Sequence, residues 1–290
     1  MLETYVLHIT KECNMQCIYC YEKDKTSTYT WDELKTLLNN IIKHNRNFNL
    51  EFLGGEPCLR TDLIKETVNY LESIENLNVD NYIITTNGTI INDELIDLMK
   101  KYQKIKYAIS MDGNTIMNCL RILKTGFNSH DLVVSNAKKM LSIFGSDRIS
   151  SHMVTHHYNI GYFNDGIKHL YDIGLRHFGI GTIENTMTID NDYCQTFIKQ
   201  HEILSHKIKN GEYEGIHIGL FEGVKPKSDE RYYVRDESGK VILETYGRVD
   251  NDIKNTDKYK TQPASSPIGN MIYNIREKVY YNHKRIMLSG

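Results

Sequence analysis

The feature that most constrains the fold is a regular alternation of β-branched apolar segments with amphipathic segments of helical period. Segments typical of strands occupy 3–10, 49–55, 81–88, 106–113, 149–159 and 177–184, with 215–223 as a candidate seventh. Segments with apolar residues three and four apart lie between them, at 31–45, 62–74, 93–102, 131–145, 164–174 and 192–211. Six strand–helix repeats predict an α/β fold with parallel strands, either an open sheet or a barrel. Thr30 and Asp131 are the predicted N-caps of two of these helices.

Three of the six cysteines lie in the loop after the first predicted strand, as Cys13, Cys17 and Cys20. In barrels of parallel strands, functional side chains lie at the carboxyl ends of the strands and in the loops that follow them. The loop with the three cysteines is in such a position. We therefore expect the functional site at this end of the strands.

Composition excludes several classes of function. The 290 residues carry a net charge of -2, which does not favour a broad nucleic-acid surface. The first ten residues are too polar for a signal peptide, and no apolar run approaches the ~18 residues of a membrane span. We therefore expect a cytoplasmic protein with no membrane partner. In that reducing compartment, clustered cysteines more often bind metal than form disulfides.

Three thiolates at this spacing can hold a [4Fe–4S] cluster and leave one iron without a protein ligand, open to a substrate or cofactor. A zinc site that recruits a distant histidine is one alternative. A four-cysteine electron carrier that uses Cys58 as its fourth ligand is another. Otherwise Cys58, Cys119 and Cys194 are expected to be small buried apolar residues.

Four motifs, each at the end of a predicted strand, resemble those of the radical S-adenosylmethionine (SAM) superfamily. They are the cysteine motif with Tyr19 before its third cysteine, GGEP at 54–57, TTNG at 85–88, and SMDG at 110–113 followed by Arg121. Several ordered motifs on one β/α frame are far more specific than one. The resemblance covers about residues 3–185. It implies a partial (β/α)6 barrel in which a [4Fe–4S] cluster reductively cleaves SAM, and the resulting 5′-deoxyadenosyl radical abstracts hydrogen from a substrate.

The resemblance also implies roles for individual residues. Cys13, Cys17 and Cys20 would bind the cluster. Glu56 would accept hydrogen bonds from the SAM amino group, and Arg121 would pair with its carboxylate. Asp112 has the alternative role of capping its turn. The full set of expected SAM-binding residues is Tyr19, Gly54, Gly55, Glu56, Pro57, Thr86, Asn87, Ser110, Asp112 and Arg121.

No catalytic acid or base is identified by the motifs, and Glu184 and His156 are the candidates. Glu184 ends the sixth predicted strand, where it could contact substrate or SAM. Alternation along the fifth strand places His152 and His156 on one face and His157 on the other. Metal binding by two histidines without a carboxylate partner is less expected than a position along the substrate cavity.

The pattern changes near residue 224, which divides a core domain at 1–223 from an extension at 224–290. A hairpin at 232–250 and a helix at 268–284 are similar in outline to the SPASM or Twitch extension of peptide-modifying radical SAM enzymes. The cysteines that bind auxiliary clusters in such extensions are absent here. The alternative is an unrelated hairpin that covers the open side of the barrel. The absence of auxiliary clusters favours a redox-neutral outcome such as epimerisation or rearrangement, or else a small-molecule substrate.

The resemblance leaves the substrate open. A peptide or protein residue is the favoured substrate, and a nucleoside or other small metabolite is the first alternative. A non-catalytic iron–sulfur redox sensor is the alternative from a different class. The expected partners are the substrate and a low-potential electron donor such as a flavodoxin or ferredoxin, while nucleic acid is not expected.

Overall fold

The computed structural model describes residues 3–20, 22, 25–182 and 191–218, together with the backbone of three later strands. The strands are β1 (Glu3–Thr10), β2 (Asn47–Gly54), β3 (Asn78–Thr86), β4 (Ile105–Ser110), β5 (Ile149–Thr155), β6 (His177–Thr182), β7 (His217–Ile218), β8 (Arg231–Arg235), β9 (Val241–Tyr246) and β10 (Lys260–Pro263). The α-helices are α1 (Trp31–His44), α2 (Thr61–Glu72), α3 (Asp93–Lys101), α4 (His130–Phe144), α5 (Phe163–Asp172) and α6 (Asn191–Lys209). Short 3₁₀ turns occupy Pro57–Arg60 and Ile160–Tyr162.

The described strands form one sheet in the order β10-β8-β9-β1-β2-β3-β4-β5-β6-β7. Strands β1 to β7 follow the chain order and are parallel to their neighbours. This arrangement confirms the predicted α/β fold of the partial-barrel type. The carboxyl ends of these strands lie at one edge, so the loops after them are brought together.

One face of the sheet packs against the helices and forms the core. The predicted stripe of α1 is buried there, as Leu34, Leu37, Leu38, Ile41 and Ile42. The opposite face is called here the lumen face. Along each strand, side chains on the lumen face alternate with side chains that face the core. On β5 the core positions Ser151 and Met153 are buried, whereas His152 between them is exposed. The lumen face is therefore accessible at this position of β5, whereas His8 and Thr85 on the same face are buried.

Two local predictions differ from the structure. Strand β5 ends at Thr155 and not at residue 159. His156 lies in the turn that follows, where its backbone N–H donates to Asn159 Oδ1 at 2.8 Å. The shared strand face predicted for His152 and His156 is therefore wrong. Asp131 is also not an N-cap, because α4 begins at His130 and has no side-chain cap.

The N-cap predicted at Thr30 is confirmed. Its side chain and the Glu33 side chain form a reciprocal capping box at the start of α1.

The predicted C-terminal hairpin is confirmed as β8 and β9, and β9 pairs antiparallel with β1. Strand β10 was not predicted, and it pairs antiparallel with β8. Three parts of the sequence predictions lie outside the described residues, namely Glu184, the end of the seventh predicted strand, and the predicted helix at 268–284. In the part of the chain that the structure describes, no helix is both long enough and apolar enough to cross a membrane.

Candidate active site

The loop at residues 11–20, called here the cysteine loop, packs directly against the end of β2. The backbone N–H groups of Gly55 and Glu56 donate to the carbonyls of Thr10 and Glu12, both at 2.7 Å. A Cβ atom on Gly55 would lie 2.2 Å from the Glu12 carbonyl oxygen. Gly54 has a φ of 145° and equally close backbone neighbours. The glycines of the GGEP motif therefore allow β2 to touch the cysteine loop.

A second segment holds the other side of the cysteine loop. The backbone N–H groups of Gln16 and Ile18 donate to the carbonyls of Ile122 and Leu120, at 2.8 and 3.0 Å. This pairing brings Arg121, between these two carbonyls, close to the loop. Its positive charge lowers the pKa of Cys17, although burial has the larger effect and leaves that pKa raised.

The three thiols of the loop are free and half-buried. Burial also raises the pKa of Cys13. Among the described residues, no three histidine, cysteine or carboxylate side chains could hold a single metal ion. A cubane cluster does not need such convergence, because each thiolate binds a different iron. Three free thiols on one glycine-supported loop thus fit a cluster better than a zinc ion.

Glu56 links the ends of β2 and β3. Its carboxylate accepts hydrogen bonds from Thr86 Oγ1 at 2.6 Å, from the Asn87 backbone N–H at 2.7 Å and from the Cys58 backbone N–H at 2.9 Å. The side chain is completely buried, and burial raises its pKa while the three donors oppose that shift. In this arrangement the carboxylate stabilises the turn. Its contact with the SAM amino group stays a prediction.

Asp112 and Arg121 form a buried ion pair across the loop after β4. Arg121 donates to both carboxylate oxygens of Asp112, at 2.8 and 2.7 Å. The backbone N–H of Val154 donates to the same carboxylate at 2.7 Å. The motif thus brings together the two residues that the sequence singled out, but each has the other as its partner. Binding of the SAM carboxylate by Arg121 stays a prediction.

Tyr19 and His156 lie beside this pair with unpartnered polar atoms. The Arg121 guanidinium is 5.5 Å from the centre of the Tyr19 ring, and the Tyr19 and His156 rings are 6.4 Å apart. Tyr19 Oη and His156 Nε2 are buried, and neither has a hydrogen-bond partner among the described residues. Burial, with the nearby charges of Arg121 and His157, lowers the pKa of His156 to about 4.

The protonation of His156 follows from its partners. The Tyr158 backbone N–H donates to Nδ1 at 3.2 Å, so the proton of the neutral ring is on Nε2. The Nε2–H group and the Tyr19 hydroxyl are therefore two buried donors next to the cysteine loop. Buried donors normally have acceptors, so this position fits a polar group of a ligand.

Ser110, His152 and Gly179 are register partners on the lumen face of β4, β5 and β6. A Cβ atom on Gly179 would lie 2.6 Å from the His152 ring, so the glycine makes space for the imidazole. Although the ring reaches solvent, the protein groups around it reduce its hydration, and this desolvation, with the charge of Arg121, lowers the pKa of His152. The motifs named Ser110 but not its two neighbours. The glycines of β6 are the sequence signal that could have identified this part of the cavity.

Two further residues near the cysteine loop were not identified from the sequence. Asn14 and Thr89 hydrogen-bond to each other and to Asn87, which the TTNG motif had singled out. Asn14 lies between two cysteines, and this position was its only signal.

Pro57 and Cys58 are both buried, in the 3₁₀ turn below Glu56. Burial raises the pKa of Cys58 well above its ordinary value. Cys58 would have to leave the core to become a fourth cluster ligand.

The chain is similar in sequence to several known proteins. Uncharacterized protein MJ0907 of Methanocaldococcus jannaschii is 30% identical over 175 residues, 59% of this chain and 59% of that protein. Radical SAM cyclopropyl synthase TigE of Paramaledivibacter caminithermalis is 26% identical over 182 residues, 56% of this chain and 37% of TigE. GTP 3′,8-cyclase of Clostridium perfringens is 32% identical over 114 residues, 37% of this chain and 33% of the cyclase.

A solved structure of native anSMEcpe with bound AdoMet and the Cp18Cys peptide has a similar fold. The TM-score is 0.65 at 18% identity, and the match covers 75% of this chain and 63% of that chain. This match and those with the three relatives each span less than two thirds of the other protein. The family model of the radical SAM superfamily matches residues 7–181, more than half of the chain. The chain therefore belongs to the radical SAM superfamily, whose enzymes use a [4Fe–4S] cluster and SAM.

Proposed function

We propose that this enzyme abstracts a hydrogen atom from a residue of a peptide or protein and that its overall reaction is redox-neutral. In this superfamily the bound cofactors supply a 5′-deoxyadenosyl radical, which forms when one electron cleaves a C–S bond of SAM. The chain has six cysteines, and only the three of the cysteine loop are clustered. These 290 residues therefore offer no second cysteine cluster that could accept an electron from the product radical.

The chain's own residues have three roles in this proposal. Cys13, Cys17 and Cys20 bind the cluster. The pair of Asp112 and Arg121 fixes the segment that holds the cysteine loop, and its burial keeps water away from this side of the site. Tyr19 and His156 donate hydrogen bonds to acceptors on the cofactor or substrate. His156 does not act as a general acid near neutral pH, because its pKa of about 4 keeps the ring neutral.

The observation that carries the choice of a peptide is the lining of the lumen face near the carboxyl ends of the strands. The lumen-facing residues there are His8, Leu53, Thr85, Ser110, Val154 and Gly181. None of these described positions is Lys or Arg, and the nearby Arg121 is already paired with Asp112. A nucleoside triphosphate requires cations for its phosphates. The same face instead carries the Glu51 carboxylate, which accepts a hydrogen bond from Thr85 Oγ1 at 2.6 Å. A lining without a cation suits an amino-acid side chain better than a triphosphate. The peptide-bound fold relative gives further support.

The alternative is a nucleoside or other small metabolite, and the similarity to GTP 3′,8-cyclase favours it. That similarity covers 37% of this chain, whereas the similarity to TigE covers 56%. Superfamily membership supports a catalytic role over that of a redox sensor.

Deuterium transfer distinguishes the two substrate classes. Proteins from cells grown in D₂O would be digested to peptides, and the metabolites of the same cells would be kept as a separate fraction. Each fraction, and separately GTP, would be incubated anaerobically with loaded enzyme, SAM and dithionite. We expect deuterated 5′-deoxyadenosine, detected by mass spectrometry, with the peptides only. Transfer from the metabolite fraction alone, or stimulation of 5′-deoxyadenosine formation by GTP alone, would refute the peptide proposal.

The proposal includes the organisation and partners of the enzyme. We infer a core domain at 1–223, an extension at 224–290, a cytoplasmic location, and a flavodoxin or ferredoxin as electron donor. The hairpin of β8 and β9 supports an extension that continues the sheet at β1.

A further inference from the structure

Asn14, Asn87 and Thr89 form a closed ring of side-chain hydrogen bonds beside the first cysteine. Asn87 Nδ2 donates to Asn14 Oδ1 at 2.8 Å, and Asn14 Nδ2 donates to Thr89 Oγ1 at 2.7 Å. Thr89 Oγ1 donates to Asn87 Oδ1 at 2.6 Å, which closes the ring. The ring connects the cysteine loop to the turn after β3.

The orientation of the Asn87 amide is fixed by its other neighbours. The backbone N–H of Thr89 donates to Asn87 Oδ1 at 2.9 Å. Because a backbone N–H can only donate, the atom facing it must be the amide oxygen, and the amide cannot be flipped. The backbone N–H of Asn87 is held by Glu56 at 2.7 Å. Main chain and side chain are therefore both fixed.

This orientation directs Asn87 Nδ2 to the thiol of Cys13. The two atoms, Nδ2 and Sγ, are 3.8 Å apart. An amide nitrogen carries two hydrogens, and only one is used by Asn14. The second is available to the sulfur.

We propose that Asn87 is a positioning residue that donates an N–H···S hydrogen bond to the Cys13 thiolate and raises the reduction potential of the cluster. Reduction adds one electron and makes the cluster and its thiolates more negative. A donor on a ligand sulfur stabilises that more negative state, so reduction becomes easier. The sequence motif had suggested a contact with SAM for this residue. The inference rests on the cluster of the superfamily and is independent of the substrate.

The test replaces Asn87 and, as a matched control, an asparagine of α4 that contacts the same turn. Asn136 Nδ2 donates to the Gly88 carbonyl at 2.9 Å, so Asn136→Ala also removes one hydrogen bond to the turn, but none to sulfur. Asn87→Ala, Asn136→Ala and wild-type protein would be reconstituted anaerobically without substrate. Their potentials would be measured by dithionite titration with electron paramagnetic resonance. In Asn87→Ala we expect the ratio of reduced to oxidised cluster at fixed poise to fall about tenfold, a shift of about 59 mV.

A second pair of variants keeps the test decisive if Asn87→Ala loads iron poorly. Thr89→Val removes the hydroxyl that closes the ring but keeps Asn87, whereas Thr89→Ser retains the hydroxyl. We expect a smaller shift in the same direction for Thr89→Val and the wild-type potential for Thr89→Ser. An unchanged potential in well-loaded Asn87→Ala would overturn the proposal, and so would an equal shift in Asn136→Ala. If Asn87→Ala loads iron poorly, an unchanged potential in Thr89→Val would overturn it. Failure of peptide turnover would not affect these measurements.

Discussion

Replacing Asp112 by asparagine should destabilise the protein more than any exposed substitution, because it leaves the Arg121 charge buried without a counterion. The exposed fractions of the two side chains are 0% for Asp112 and 8% for Arg121. The amide of asparagine has the size of the carboxylate but offers Arg121 one neutral oxygen in place of two charged ones. Removal of one partner from a buried ion pair typically costs about 3–5 kcal/mol. We expect a loss in this range for Asp112→Asn and for Arg121→Met.

The double variant isolates the interaction itself. Asp112→Asn with Arg121→Met removes both charges, so no unpaired ion is left in the site. Its unfolding free energy should be close to that of either single variant. The coupling energy should then equal the loss of one single variant, about 3–5 kcal/mol, because the sum of the two single variants counts that loss twice and the double variant counts it once.

Urea denaturation of the cluster-free protein, followed by circular dichroism, measures all four unfolding free energies. The same variants report on function, because residues 120–122 hold the backbone of the cysteine loop. Iron loading should fall in Asp112→Asn. A loss below about 1 kcal/mol in Asp112→Asn, or additive losses in the double variant, would show that the pair does not support the loop as described.

Three further predictions concern the cysteines, a glycine and a histidine. Cys17→Ala should abolish iron binding and 5′-deoxyadenosine formation, whereas Cys58→Ser should keep about four irons per chain in an iron assay. Loss of iron from Cys58→Ser would favour the four-cysteine alternative. Gly55→Ala places a Cβ atom 2.2 Å from a backbone carbonyl oxygen, and it should lower the free energy of thermal unfolding by about 1–3 kcal/mol. Gly161→Ala should leave that free energy nearly unchanged, because no atom lies within 4 Å of the added Cβ. The pKa of His156 falls from 6.5 to about 4 on folding, so the unfolded chain binds more protons between these values and stability is lost as pH falls through that window. As the pH falls through this window, the unfolding free energy of the wild-type protein should decrease by up to about 3 kcal/mol, whereas that of His156→Asn should not. Urea denaturation at several pH values measures both, and equal pH dependence of the two proteins would contradict this assignment.

The order of strands and helices could be predicted because it depends on local patterns. The apolar stripe of α1 and the capping box of Thr30 involve residues within a few positions of each other. The end of β5 depends instead on distant contacts. The Asn159 side chain fixes the turn by donating to the carbonyl of Met117 at 3.2 Å, and these residues are 42 positions apart. No local pattern contains that contact.

The residues of the candidate site were also indicated by the sequence, but their partners were not. The motifs mark Glu56 and Arg121 as important, and the structure places both beside the cysteine loop. A motif does not specify whether a charged side chain contacts a ligand or another protein group. Here Glu56 is held by three donors of the protein and Arg121 by Asp112.

These protein partners determine what the site offers to a ligand. Glu56 and Arg121 are buried and bonded to protein groups. Near Arg121, the Tyr19 hydroxyl and His156 Nε2 are buried polar atoms without a hydrogen-bond partner among the residues that the structure describes. Burial raises the pKa of Tyr19 and lowers that of His156, so both groups are neutral and protonated at these atoms near pH 7. A cationic group would leave both donors unsatisfied. A hydrogen-bond acceptor, such as a ring nitrogen or a peptide carbonyl, would satisfy them, and the local electrostatics therefore favour an acceptor over a cation at this position.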